Sequence, residues 1–146
     1  MKNYVIGLLL LVLLVGCGAK PEAPKNEAVN EVDDFTVRLV VDEAAKATAT
    51  ITYTGQEAEK TIYHGGNIFF LTITQLDGDF EQPGAMSLPL LSTTLKKDEP
   101  HTVVFDDVSL AKGLYEFEAE ARISLDQEDI VGSEITIPVK VQQQVQ

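Results

Sequence analysis

Leu114-Tyr115-Glu116-Phe117-Glu118-Ala119-Glu120-Ala121-Arg122-Ile123-Ser124-Leu125 alternates with a period of two. Tyr115, Phe117, Ala119, Ala121 and Ile123 fall on one side, and Glu116, Glu118, Glu120 and Arg122 on the other. That pattern puts one face of a strand in a core and the other in water. Working outward, the same period recurs. Phe35, Val37, Leu39 and Val41 alternate with Thr36, Arg38 and Val40, and Ala47, Ala49, Ile51 and Tyr53 alternate with Thr48, Thr50, Thr52 and Thr54. Gly55 ends the second run, and Lys60 to His64 gives a short strand before Gly65-Gly66. Asn67 to Gln75 is apolar on both faces, with Phe69, Leu71 and Ile73 one way and Ile68 and Phe70 the other. Such a strand is expected in the middle of a sheet, covered on both sides.

Leu76-Asp77-Gly78-Asp79 then supplies a hairpin turn. Residues 80–99 read as irregular, broken by Pro83-Gly84 and Pro89, with a short edge strand around Leu90 to Leu95. Thr102 to Asp106 is strand-like, Asp126 to Asp129 is an acidic loop, and Ser133 to Val141 places Ile135, Ile137, Val139 and Val141 on one face. No segment carries a helical period. About seven strands in 34–141 predict an all-β antiparallel sandwich, with a small barrel as the other way of closing the sheet. Residues 142–146 read as a disordered tail.

Gly113-Leu114-Tyr115 sharpens the fold. Gly allows the turn into the strand, and Tyr two residues on can bury its ring while its hydroxyl reaches back to the loop. This resembles the tyrosine corner of immunoglobulin-like domains. The chain has one Cys and no Trp, so the inter-sheet disulfide and core Trp of antibody domains are absent and Phe69 or Phe70 has to fill that volume.

The first residues read as a targeting segment. Met1 to Tyr4 carries one positive charge, and Val5 to Val15 is apolar apart from Gly7. An eleven-residue helix covers only about 16 Å, half a hydrocarbon core, which fits a signal peptide and not a spanning helix. It ends in Leu14-Val15-Gly16-Cys17, which resembles a bacterial lipobox. The resemblance implies cleavage after residue 16, a diacylglyceryl thioether on Cys17 and an anchor on the extracytoplasmic side of the cell membrane. Residues 17–33, with Pro, Ala and mixed charge, then read as the lipidated Cys and a flexible tether. The whole resembles a small lipoprotein of a Gram-positive bacterium.

A second resemblance lies in the turns. Thr54-Gly55, Phe69 to Gln75, Asp77-Gly78, Leu95-Lys96-Lys97-Asp98-Glu99 and Gly113-Leu114-Tyr115 follow an order similar to the intracellular proteinase inhibitor family of Bacillus and its relatives. It implies a sandwich, and inhibition of a protease as one possible activity.

Charge and chemistry narrow the function. The chain has 11 basic and 23 acidic residues, a formal charge of −12, which argues against a nucleic-acid partner. The single Cys is assigned to lipid, and there is no Gly-x-Ser-x-Gly elbow, so no enzyme and no cofactor are expected. His64, Met86 and His101 are the available soft or borderline ligands, and their spacing gives no reason for them to meet. The acidic turns Asp77-Gly78-Asp79-Phe80-Glu81 and Asp126 to Asp129 do not match a calcium loop. The expected function is an anchored binding domain for a protein or small molecule, its candidate loop including His64, Phe80, Met86 and Leu88. Proteinase inhibition and extracytoplasmic metal or small-ligand binding are the alternatives.

Overall fold

The computed structural model describes residues 26–85 and 89–146. Among them there is no helix; ten strands form two packed antiparallel sheets. In chain order they are β1 (Asn26–Val32), β2 (Phe35–Val41), β3 (Ala47–Tyr53), β4 (Glu59–His64), β5 (Phe69–Gln75), β6 (Glu81–Gln82), β7 (Leu91–Lys96), β8 (Pro100–Phe105), β9 (Gly113–Ser124) and β10 (Glu134–Val145). One sheet has the order β1-β2-β3-β8. The other runs β6-β5-β9-β4-β7, with β10 along β9. β2-β3-β8 of one sheet and β5-β9-β10 of the other form the two layers of a β-sandwich.

The period-two runs become the core. Phe35, Val37, Leu39 and Val41 face Tyr53, Ile51, Ala49 and Ala47 in register on the first sheet, and all are buried. On the second, Phe69, Leu71 and Ile73 stand opposite Ala121, Ala119 and Phe117, also buried. Of Phe69 and Phe70, Phe69 is the one buried in the core. Ile137, Val139 and Val141 of β10 complete the layer beside β9.

The tyrosine corner is present. Tyr115 is buried, and its hydroxyl donates to the Ala111 carbonyl at 3.0 Å. Gly113 serves it through space and not through backbone freedom, because no described glycine has a positive φ. A Cβ there would lie 2.7 Å from Gln75 Nε2 and 3.0 Å from Asp77 Oδ1. The β5–β6 turn closes over this position, and a side chain here would displace the Gln75 amide and crowd Asp77.

Four expectations need correction. The tether does not extend to residue 33: Asn26–Val32 pairs with Val41–Phe35 along its whole length. Its alternation was hidden because its inward residues are Asn26, Ala28, Asn30 and Val32, two of them polar. The tail is not frayed either, since Gln142 to Val145 continues β10 against Glu116 to Gly113. Gln side chains conceal a strand whose stability comes from its ladder. Ten strands replace about seven, the strands not expected being β1 and the two-residue β6. Finally, the second face of the Asn67 to Gln75 run is covered only in part: Ile68, just before β5, is buried, and the outward face of β5 itself is not. Phe70 is half-buried, shielded by the Arg122 guanidinium 5.0 Å from its ring centroid.

Replacing Tyr115 by Phe keeps the ring and deletes one hydrogen bond whose acceptor, on exposed Ala111, can turn to water. The expected cost is about 1 kcal/mol in a urea or thermal melt. Phe117→Ala, which empties core volume, is expected to cost about 3–5 kcal/mol by the same measurement.

Candidate functional site

His64, at the end of β4, is 8% exposed and fully engaged. Its Nδ1 lies 2.6 Å from the Gly65 carbonyl and its Nε2 2.8 Å from Thr93 Oγ1. A carbonyl only accepts, so Nδ1 carries the proton, and in the neutral ring Nε2 accepts the Thr93 hydroxyl. The ring thus fastens the bend after β4 to β7. Phe80 sits at the far end of β5, in an edge contact with Tyr115 at 6.0 Å between centroids. The whole of β5, about 20 Å of strand, separates it from His64. The structure does not bring the two together as one binding loop. Met86 and Leu88 lie outside the described residues, as do Leu14, Val15, Gly16 and Cys17.

The acidic turns are spent on architecture. Asp77 Oδ1 accepts the Leu114 N–H at 2.9 Å and the Gln75 amide at 3.2 Å, tying the β5–β6 turn to the start of β9. The Leu114 backbone bond is the main cause that holds the Asp77 carboxyl below its ordinary value. In the β9–β10 loop, Asp126 Oδ1 accepts the Glu128 N–H and Asp129 Oδ1 the Gly132 N–H. Ser133 Oγ accepts from the N–H groups of Leu125 and Asp126 and donates to the Asp129 carbonyl at 2.7 Å. Ser124 Oγ donates to the Ile130 carbonyl at 2.7 Å. This stiff loop holds Val131 at its tip, 88% exposed. Among the described residues no group of three His, Cys, Asp or Glu side chains is placed to hold a metal ion.

The flanks of the sandwich differ. On one, β1 lies against β10. Asn26 Nδ2 donates to the Gln142 carbonyl and to Gln143 Oε1, both at 2.7 Å, and Asn30 Nδ2 donates to the Pro138 carbonyl at 2.9 Å. Two side-chain amides, four residues apart, close the edge of β10 where Pro138 has no N–H to offer. On the other flank, β7 and β8 each end a sheet, and no ladder joins them. A cleft of about 150 Å³ lies between them, lined by Thr94, Leu95, Lys96, Glu99, Pro100 and His101. Leu90, Leu91 and Val104 on this flank are between 43% and 45% exposed. The expected 80–99 segment therefore contributes its C-terminal part to the open flank. β8 is the partner that sequence reasoning missed, because alternation shows a strand and does not show which neighbour it lacks.

The outward face of β9 is internally paired. Lys140 Nζ lies 3.1 Å from both Glu116 and Glu118, which raise its pKa, and Arg122 pairs with Glu120. Arg38 and Glu27 do the same on the first sheet, and the hydrogen bond from Arg38 holds the Glu27 carboxyl below its usual range.

Comparison with family models, curated proteins and solved structures finds no match to the chain.

The lowered pKa of Asp77 fixes the sign of a pH effect. A carboxyl depressed in the folded state stabilises above the unfolded value of about 3.9 and loses that contribution as pH falls through the folded value. Asp77→Ala is expected to destabilise the domain at neutral pH. The gap between variant and wild type should narrow as urea melts are taken below about pH 4; a gap that is the same at both ends would contradict this role.

Proposed function

We propose that this chain is a lipid-anchored extracytoplasmic binding module, held at the membrane through Cys17 and engaging a partner with its folded domain. The sulfur of Cys17, placed directly after the apolar run and Leu14-Val15-Gly16, carries the reading. Two acyl chains on that sulfur supply the two signals that stable anchoring needs. From Asn26 to Gln146 the chain has 8 basic and 22 acidic residues, so an anionic bilayer repels the domain and does not hold it. Cys17 is nine residues before Asn26, a reach of at most about 30 Å. β10 spans about 36 Å, with Asn26 near one end and the 125–133 loop at the other.

Cys17→Ala is expected to move the protein from the detergent-rich to the aqueous phase on Triton X-114 partition and to abolish the acyl mass on the N-terminal peptide. Unchanged partition would remove the anchor from the reading.

Proteinase inhibition remains as a second reading because of the 125–133 loop. Inhibition needs a loop held rigid in a protease cleft, and this one is cross-braced by Ser124 and Ser133 with Val131 projecting. If that reading holds, a panel of serine proteases includes one inhibited at about micromolar concentration, and Val131→Asp raises the inhibition constant at least about tenfold. No inhibition across the panel sinks it.

A further inference from the structure

We propose that β8 is a docking edge, which takes an extended, basic-ended segment of a partner protein as a fifth strand of the first sheet. The proposal rests on the binding-module reading and names the partner class and mode of contact. Among the described residues β8 pairs with β3 alone. Every second residue of an edge strand turns its N–H and C=O away from its neighbour, so Pro100–Phe105 carries a row of unused backbone groups. Nothing in the strand blunts that row. Its proline is the first residue, where a strand tolerates it, and no charged side chain lies between Pro100 and Phe105. The edge of β10, by contrast, carries Pro138 and the two Asn caps.

Side-chain burial points to the same missing neighbour. His101, Val103 and Phe105 face inward opposite Ile51, Ala49 and Ala47 of β3. Those three β3 residues are fully buried, whereas the β8 residues are only half-buried and Val104 on the outer face is 45% exposed. An added strand would cover apolar surface on both faces while its main chain completes the ladder. The cleft beside Pro100 and His101 receives a side chain at one end of that strand.

Charge selects the occupant. Lys96 and Lys97 offset Asp98 and Glu99 before β8, but Asp106 and Asp107 follow it directly. A segment whose basic residues lie beside Asp106 and Asp107 is complementary to this polarity. Net charge opposes a second copy, because both domains carry the same large acidic excess.

The test is amide hydrogen exchange on the full-length chain in detergent micelles, with a short Thr- and Val-rich peptide ending in two lysines as probe. Exchange should slow across 100–105, and alternate N-methylation of the peptide should abolish the effect. Asp106→Lys with Asp107→Lys should weaken binding about three- to tenfold while leaving β9 exchange, the control for folding, unchanged. Unchanged exchange at 100–105 with about millimolar peptide overturns the proposal, as does equal protection by the N-methylated or a Glu-ended peptide. The Cys17→Ala chain should show the same pattern, so loss of anchoring and loss of edge binding are read separately.

Discussion

A strand has two edges, and the way β9 divides its own governs the second sheet. One edge is paired with β10 from Gly113 to Ser124. The other is shared: β5 occupies Tyr115 to Ala121, and β4 touches only Ser124 through Tyr63. From Tyr63 to Phe69 the chain advances six residues while its partner advances three, from Ser124 to Ala121. The surplus is absorbed between β4 and β5, at His64-Gly65-Gly66-Asn67-Ile68, and β4 leaves β9 to pair with β7. Bulged departures of this kind re-aim a strand at the margin of a sheet. The His64 ring, bonded to Gly65 and Thr93, braces the departure, which gives a buried histidine a mechanical purpose without any chemistry.

The asymmetry of the flanks follows. Because β4 swings outward with β7, the chain reaches the first sheet through the 97–99 corner, where the Asp98 N–H donates to the Tyr53 carbonyl at 2.9 Å. Asp98 sits there with φ of 60°, a left-handed conformation that Asp tolerates better than most residues. β8 then runs back along β3 as the last strand of its sheet. On the opposite flank, β1 and β10 meet, and the Asn amides close the gap. One flank is sealed by side chains bonding to backbone, and the other is left with an unsealed edge. Strand edges are a pairing hazard that proteins commonly blunt, and only one of the two flanks is blunted here.

Much of this was legible in the residues. β2, β3, β9 and most of β10 follow from alternation, because burial of one face forces the period. The tyrosine corner followed from Gly113-Leu114-Tyr115, since a buried Tyr must place its hydroxyl on a partner. β1 was not legible, because its inward Asn26 and Asn30 work by hydrogen bonding and an apolar-periodicity reading counts them as polar noise. The end of β10 was hidden in the same way by Gln142, Gln143 and Gln144. The candidate binding loop is placed only in part, since Met86 and Leu88 lie outside the described residues. His64 and Phe80 are close enough in sequence to suggest one surface, yet a straight strand between them sets them at opposite ends. The openness of β8 is a property of topology, and no local pattern encodes it.

The acidic excess also reads differently once the cations are placed. Arg38, Lys60, Lys96, Arg122 and Lys140 each lie within 4.0 Å of a Glu. Exposed pairs of this kind contribute little to stability, so their larger effect is to use up positive charge locally. Five of the eight basic residues from Asn26 onward are thereby neutralised where they stand, and the remaining carboxylates set the field seen at a distance. At physiological salt that field fades over about 8 Å, so it works only at close approach. It discourages edge-to-edge pairing between like domains and favours a basic segment once one has come near. An open edge with a neutral strand and acidic surroundings is thus protected from its own kind while staying available to a partner of opposite charge.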